Sequence, residues 1–536
     1  MNYNLPEMQA KIRAEFEAML QFVTSEEAQT ATADQIERGL FQLLLNLGAQ
    51  LLLLFFQMRS QTSSRKAIIV EGQEIPYNSE QKREYFSIFG KVSIWRPYFY
   101  APGAGGHTPL DAELSLGADR YSDLLRETMD YLGVYVPYNK AVDIFKRILK
   151  SGISTRVQQK FVAEDAEDVL DYYEQKPAPA AADEAEILVI QADGKGVPII
   201  LEQASPDPVR LGKGQKRGRK KEAIVTAVYT IAAHPRTPKD VVNSFFQQNQ
   251  NEEKSKISPP KPQNKHIWAT LDGKKTALAR LGQQVEPRQG AHIQHKVALA
   301  DGCEALQERI KKQFPGFTLI LDFVHANEYL WKVANSLWGE GSEHREKWVK
   351  KQTELMLSGK TKQIIEDFRA RAKKKSCTKK QVEKLEKTAN YFERNLEYMH
   401  YHTYLAHGWP IASGVIEGAC RHFVKDRFEL SGMRWEQCGA ENLLRLRAVA
   451  ENGDWDDYHL FRRQQRHQRL YSSPFPTQNS LEILALELPT STTSQPQDSD
   501  AAERVASPPL VDQEIHIAKD TAQGASSNYS ALPLAV

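Results

Sequence analysis

Three acidic motifs, far apart along the chain, carry residues whose types and spacing suit chemistry. QADGKGVP places Asp193 at the end of the apolar run EILVIQ. HKVALADG, followed by EALQERI, places Asp301 at the end of a second apolar run. SGVIEGACRHFVKDR places Glu417 on a predicted helix among basic residues. Two carboxylates at strand ends and one on a late helix suit two-metal phosphoryl transfer. Two Mg²⁺ ions (Mn²⁺ is a possible substitute) held roughly 3.5–4 Å apart need shared anionic oxygens, which carboxylates supply. A fourth acid, Asp322 in LILDFVHANEYLW, forms a DxxH with His325 at a strand-to-helix junction. It reads either as an N-cap of the following helix or as part of the site, including as its second metal ligand. Each Asp-Gly pair taken alone is equally a turn; the signal lies in the combination.

Basic residues accompany these acids. With Glu417 as position i, Arg421 is i+4 and Lys425 is i+8, so a regular helix would present a carboxylate and then two cations on one face. Arg427 follows in the same segment, and the bland alternative is a surface ion pair between Glu417 and Arg421. Lys195 beside Asp193 reads as a phosphate contact or an exposed lysine. The run GKGQKRGRKK holds Lys216, Arg217, Arg219, Lys220 and Lys221 with no acid among them. RARAKKKSCTKK, from Arg369, and RRQQRHQR, from Arg462, are two further runs. Such runs are usually solvated, but they also neutralise phosphates. The formal net charge of +2 says little about partners.

The elements that must position these residues follow from periodicity. Residues 1–65 are predicted helical. Their start is polar and amphipathic, unlike a signal peptide. The stretch LFQLLLNLGAQLLLLFF contains Gln and Asn and is short for a span of about 20 residues, so it is expected to be a buried or dimer-forming helix rather than a membrane segment. Residues 66–117 form a small β-rich segment. Residues 118–175 are helical, with a turn near Ser151-Gly152 and a second helix from about Ser154. This helix-turn-helix spacing puts Arg156, Gln158, Gln159 and Lys160 on early turns, as a DNA reader or as a plain helical hairpin. After the linker KPAPAAADEAE, residues 185–325 run strand, strand, strand, helix, strand, helix, strand. That is the order of an RNase H-like core. A helical insertion covers 326–408, and the Glu417 helix and the end of the core cover 409–470. Residues 471–536, rich in Ser, Thr, Pro, Gln and Ala, read as a disordered tail. A chain of 536 residues, 41% hydrophobic, has ample core for this α/β organisation. Its four cysteines show no CxxC spacing, which points to a reduced, intracellular protein without a disulfide framework.

In this order, DGKGVP, ADG-EALQ, LDFVH-EYLWK, SGVIEGACRHFVKDR and SGMRW resemble bacterial insertion-sequence transposases of the Kra type, from about residue 85 to about residue 463. The resemblance implies an RNase H-like core with an insertion and D-D-E transposition, with Asp193 and Glu417 as the first Asp and the Glu. It implies DNA as partner (element ends and target), an oligomer in the synaptic complex, no membrane, and a cytoplasmic, nucleoid-associated location. For the second Asp, strand order favours Asp301, while the D-x-x-H pattern favours Asp322; we assign Asp301, with Asp322 and His325 in support. Relatives often carry a zinc-ribbon-like segment where this chain has RPYFYAPGAGGHTPLD. Here only His107 is a plausible ligand, so the region is expected to hold together by packing. The same core also fits a nuclease that cuts without joining, or an inactive transposase-derived DNA-binding protein.

The strand order makes the strands of Asp193 and Asp301 neighbours, so the Asp301 carboxylate is expected closer to Asp193 and Glu417 than that of Asp322. Neutralising Lys216, Arg217, Lys220 and Lys221 together should weaken DNA binding irrespective of sequence. Each lost phosphate contact should reduce the log–log salt slope by about 0.9. Titrations of a duplex at several salt concentrations check this, and an unchanged slope identifies a solvated charge run.

Overall fold

The computed structural model describes residues 4–149, 152–200, 220–246, 259–339, 342–430, 432–471 and 474–476. Lys216, Arg217 and Arg219, and nearly all of the expected tail, lie outside them. The N-terminal region is a helical hairpin, Leu5–Thr24 and Ala33–Thr62, joined by a short helix, Glu26–Thr30. Thr32 opens the long helix with a capping box: its hydroxyl accepts the Gln35 N–H while the Gln35 side chain accepts the Thr32 N–H. This helix is not buried as a whole. Phe56, Gln57 and Ser60 are its buried residues, and by length and composition it could cross a membrane.

The β-rich segment holds a two-stranded sheet, β1 (Ile68–Val70) with β2 (Gln73–Ile75), and an antiparallel three-stranded sheet of β3 (Tyr77–Ser87), β4 (Gly90–Ala101) and β5 (Gly105–His107). Packing holds it, as expected: Ile75, Phe99 and Ala101 form one small core. Buried Asp111 adds an ion pair with Arg83 at 2.9 Å and a second with Arg96. The His107 ring is within 2.9 Å of the Ala104 carbonyl.

Helices Asp123–Tyr135, Tyr138–Leu149 and Thr155–Asp165 follow. Ser154 caps the third through the Val157 N–H, close to the predicted start. Arg156, Gln159 and Lys160 are exposed, and Lys160 pairs with Glu164 at 3.3 Å. Gln158 is not available to a reading surface. It is fully buried and donates to the Met129 carbonyl at 2.8 Å, because the helix turns that side inward beside Phe161 and Val162.

The central sheet has five strands, β6 (Ile187–Pro198), β7 (Lys220–Ile231), β8 (Gln263–Thr270), β9 (His295–Ala300) and β10 (Thr318–Leu321), in the spatial order β10-β9-β6-β7-β8. β7 runs antiparallel to β6 and β8, whereas β9 and β10 run parallel to β6. The near-continuous apolar runs follow from burial on both faces. Leu188, Ile190 and Ala192 pack under helices Gly273–Val285 and Glu304–Gln313. Ile187 and Val189, on the other face, share a core with Leu330 and Val333 and with Met356, Phe368 and Phe392 of the helical insertion. The insertion is thus continuous with the core of the sheet.

The arginines of the third basic run are all engaged in ion pairs, and only Arg469 among them is exposed. The run lies in helix Trp455–Leu470, and its arginines face the acids of the three-helix unit. Buried Asp165 accepts Arg462 at 2.8 Å and Arg126 at 2.6 Å. Arg466 and Arg462 share Asp123, Arg463 meets Glu127 at 3.2 Å, and Arg469 meets Asp168 at 2.6 Å. Burial and the neighbouring Asp165 charge hold Asp130 well above the usual carboxylate range. Removing Asp165 would leave two buried guanidinium groups under-compensated. Asp165→Ala should lose roughly 3–5 kcal/mol of stability in denaturant unfolding. Lys347→Ala, which breaks the exposed pair with Glu343, should change stability by less than about 0.5 kcal/mol.

Candidate active site

Strand register sets the site. Ala192 of β6 pairs with Ala300 of β9, and Ala300 pairs with Leu321 of β10. The next residue on each strand is an aspartate: Asp193, Asp301 and Asp322. Parallel strands in register point equivalent residues to one face, so three carboxylates stand side by side on the face that also carries Val189, Leu299 and Ile320.

Glu417 is brought to this face by helix Gly414–Ala419, which three contacts fasten. Buried Gln191 accepts the Ile416 N–H at 2.9 Å and donates to the Tyr229 hydroxyl at 3.0 Å. Asp322 accepts the Ser413 N–H at 2.5 Å. The Cys420 thiol donates to Asp193 at 3.4 Å. From Cys420 to Lys425 the helix widens into a π-helical turn, a feature frequent at functional sites. The wider turn breaks the 3.6-residue period on which the Glu417, Arg421, Lys425 alignment rested. Arg421 and Lys425 are exposed, and no Glu417–Arg421 ion pair forms among the described residues. Gln191, Ser413 and Cys420 carry no signal in sequence alone, since a buried Gln on a strand betrays only that it has a partner.

The carboxylates differ in environment. Burial, and then the charge of Asp193, raise Asp301 above the usual range. Burial, and then Asp322, raise Glu417. His325 is pushed up to about 9, first by its hydrogen bond with Asp322, so it is cationic at neutral pH. Burial opposes ionisation of Asp322, but hydrogen bonds from His325 and Ser413 hold its carboxyl low. Asp322, His325 and Glu417 present ligand-type atoms within 4.8 Å of one another. The expectation that Asp301 lies nearer Glu417 than Asp322 does therefore has no support here: it is Asp322 that stands in this close group. Yet both Asp322 oxygens are already used. One caps the next helix through the His325 N–H at 2.8 Å and faces the ring at 3.3 Å, and the other holds Ser413. Both sequence readings of Asp322 thus hold in geometry: it is an N-cap and it stands at the cluster. Asp193 and Asp301 have no ion-pair partner among the described residues.

The insertion forms one wall. Tyr391, stacked on Tyr329 at 3.8 Å, covers Gly302 so closely that a Cβ there would meet its ring at 2.3 Å. Arg394 donates to the Gly302 carbonyl at 2.6 Å, and Gln307 joins Asn395 at 2.9 Å. Lys195, two residues beyond Asp193, shares its face of β6. Lys220 pairs with Glu429 at 3.0 Å and Lys221 donates to Gln437 at 2.6 Å. Arg427 cannot reach a nucleic acid as expected. It is 1% exposed, donates to the Gly133 carbonyl, and lies over the Tyr138 and Trp435 rings. Its guanidinium joins the three-helix unit to the sheet domain.

No family model matches the chain, nor does any curated protein. A solved structure of the Drosophila P element transposase strand transfer complex aligns with 67% of this chain and 83% of that one, at 10% identity and a TM-score of 0.24. That score is too low to define a fold, and function is read from the site's own residues.

Gln191→Leu should leave the buried Ile416 N–H without an acceptor and cost about 1–3 kcal/mol, measurable as a lower melting temperature. An unchanged melting temperature would show that the Glu417 helix is held without this latch.

Proposed function

We propose that the chain is a DNA transposase of the D-D-E type with an RNase H-like catalytic core, which cuts the ends of an insertion sequence and joins them to target DNA. The observation that carries this reading is the convergence of Asp193 and Asp301, level on adjacent parallel strands, with Glu417 on a helix latched to the same strand. The sheet order supports the core assignment: a central strand, an antiparallel hairpin to one side and two parallel strands to the other. The likeness to Kra-type motifs supports the choice of DNA.

The donor set fits two Mg²⁺ ions. Hard cations take carboxylate oxygens, and among the described residues Asp193 and Asp301 form no ion pair. Asp193, Asp301 and Glu417 would hold the metals, which when bound supply activation of a water or DNA 3′-hydroxyl and stabilisation of the leaving oxygen. Both Asp322 oxygens accept hydrogen bonds, as both Asp193 oxygens do, but Asp322 is fully buried and faces His325. It orients His325, fixes Ser413 at the start of the Glu417 helix, and so positions Glu417. Cationic His325 offsets part of the negative charge between Asp322 and Glu417. Lys195, on the face of Asp193, is placed to meet a phosphate. Exposed Arg421, Lys425 and Arg156 are available to the DNA backbone, and Lys160 once it leaves Glu164. Lys220 and Lys221 are engaged with Glu429 and Gln437, so their contribution requires release of those contacts.

Asp193→Ala, Asp301→Asn and Glu417→Ala should each abolish Mg²⁺-dependent cleavage while mobility-shift binding to duplexes carrying the flanking inverted repeats stays largely intact. Asp322→Asn should leave a measurable remnant, because it disturbs positioning and removes no ligand. Near wild-type cleavage by Asp301→Asn, with complete loss in Asp322→Asn, would exchange their roles. Labelled-end strand transfer separates a transposase from a nuclease that only cuts, and absence of any cleavage would identify an inactive DNA-binding derivative.

A further inference from the structure

The long N-terminal helix presents three faces, of which two are occupied. Ala49, Leu52, Leu53 and Phe56 pack on Val92, Ile94 and Leu116. A second face meets helix Leu5–Thr24, with Gly39 against the Phe22 ring and Gln50 bonded to Glu15. The third carries Phe41, Leu44, Leu51, Phe55 and Met58, between 42% and 53% exposed. With Gly48 these residues are spaced three, four, three, four, three. Phe89, itself 41% exposed, leans over Gly48 and keeps the stripe apolar. No Asp, Glu, Lys or Arg occurs between Arg38 and Arg59.

We propose that this stripe is a self-association seam, on which a second copy of the chain lays the same helix antiparallel. The alternation of three and four is the pattern of a helix that packs along another helix; a flat apolar surface imposes no such repeat. The charges at the ends select the partner and its direction. Asp34, Glu37 and Arg38 lie before the seam, Asp34 paired with Arg38 at 2.9 Å, and leave that end net acidic; Arg59, Arg65 and Lys66 lie after it, Arg59 paired with Glu113 at 3.1 Å and Arg65 with Glu80 at 2.8 Å, and leave that end net basic. Parallel copies would bring like charges together, and antiparallel copies bring acid to base. The antiparallel register also sets Phe41 opposite Met58, Leu44 opposite Phe55 and Gly48 opposite Leu51. The second copy's Phe55 and Met58 then approach an apolar groove formed by Ala33, Ile36, Leu40, Phe41 and Leu44. A lipid surface is a poorer occupant, since the helix is pinned along one side to a sheet with charged neighbours. The seam stands apart from the acidic cluster, and the proposal does not rest on the reading of that site.

The test uses the full chain. Light scattering after size exclusion, at tens of micromolar, should give the mass of two chains. The double variant Leu44→Glu with Phe55→Glu should give one, with unchanged helical circular dichroism. Leu44→Cys and Phe55→Cys proteins, gently oxidised, should cross-link when mixed and not singly, with the unsubstituted chain as control for its own cysteines. A monomeric wild type, or a dimer that survives the double variant, overturns the seam. Cross-linking of each variant with itself overturns the antiparallel arrangement. Wild type that floats with phosphatidylcholine–phosphatidylglycerol vesicles, and a double variant that does not, assigns the stripe to lipid instead.

Discussion

The site depends on one constraint, the register of three parallel strands. Because Ala192, Ala300 and Leu321 align, the aspartate after each falls at one level on one face. A one-residue slip of β9 would turn Asp301 to the opposite face, towards Leu278 and Leu306, since alternate residues of a strand face opposite ways. Hydrophobic pairing on both faces resists that slip. Val189, Val297 and Leu299 must meet Phe323 and Leu330, while Leu188, Ile190 and Ala298 must meet Leu278 and Ile310. The core that stabilises the sheet therefore also aims the carboxylates.

Carboxylates brought together in a half-buried place repel one another, and the surroundings show how that cost is divided. N–H donors and His325 compensate the Asp322 charge and hold its carboxyl low. Asp301 and Glu417 receive less compensation and are raised instead. This asymmetry separates Asp322 from Asp301 and Glu417, and it weighs towards the proposed assignment of Asp301, whereas proximity to Glu417 favours Asp322. The insertion contributes to the same balance, because Tyr391 and Arg394 close over the Gly302 turn that carries Asp301.

The other charged groups obey the same economy of burial. Arginines that read as a basic run around Arg462 instead bind Asp165, Asp123 and Asp168 and join the last helix to the three-helix unit. Arg427 and Arg447 donate to the carbonyls of Gly133 and Val134 at the end of helix Asp123–Tyr135, where carbonyls lack helical partners. These contacts bind the three-helix unit to the sheet domain, so a perturbation of one is expected to reach the other through discrete hydrogen bonds.

Much of this was determined by the sequence itself. Apolar runs ending in Asp marked the strands of Asp193, Asp301 and Asp322, and capping residues such as Thr32 and Ser154 marked helix starts, because these signals act within a few residues. That the strands of Asp193 and Asp301 are neighbours followed from strand order, although Asp193 lies within β6 and not at its end. What the sequence left open depended on partners distant in the chain. Whether Asp322 caps, supports or binds metal turns on Ser413 and His325 meeting its two oxygens. Whether Arg427 or the Arg462 run faces solvent turns on helices hundreds of residues away. The π-helical turn after Glu417 begins at Cys420, which meets Asp193, and no local propensity marks it. Composition could not decide whether the apolar helix Ala33–Thr62 was buried; only the tertiary structure separated its packed faces from the exposed one, because burial is a property of what stands opposite a side chain.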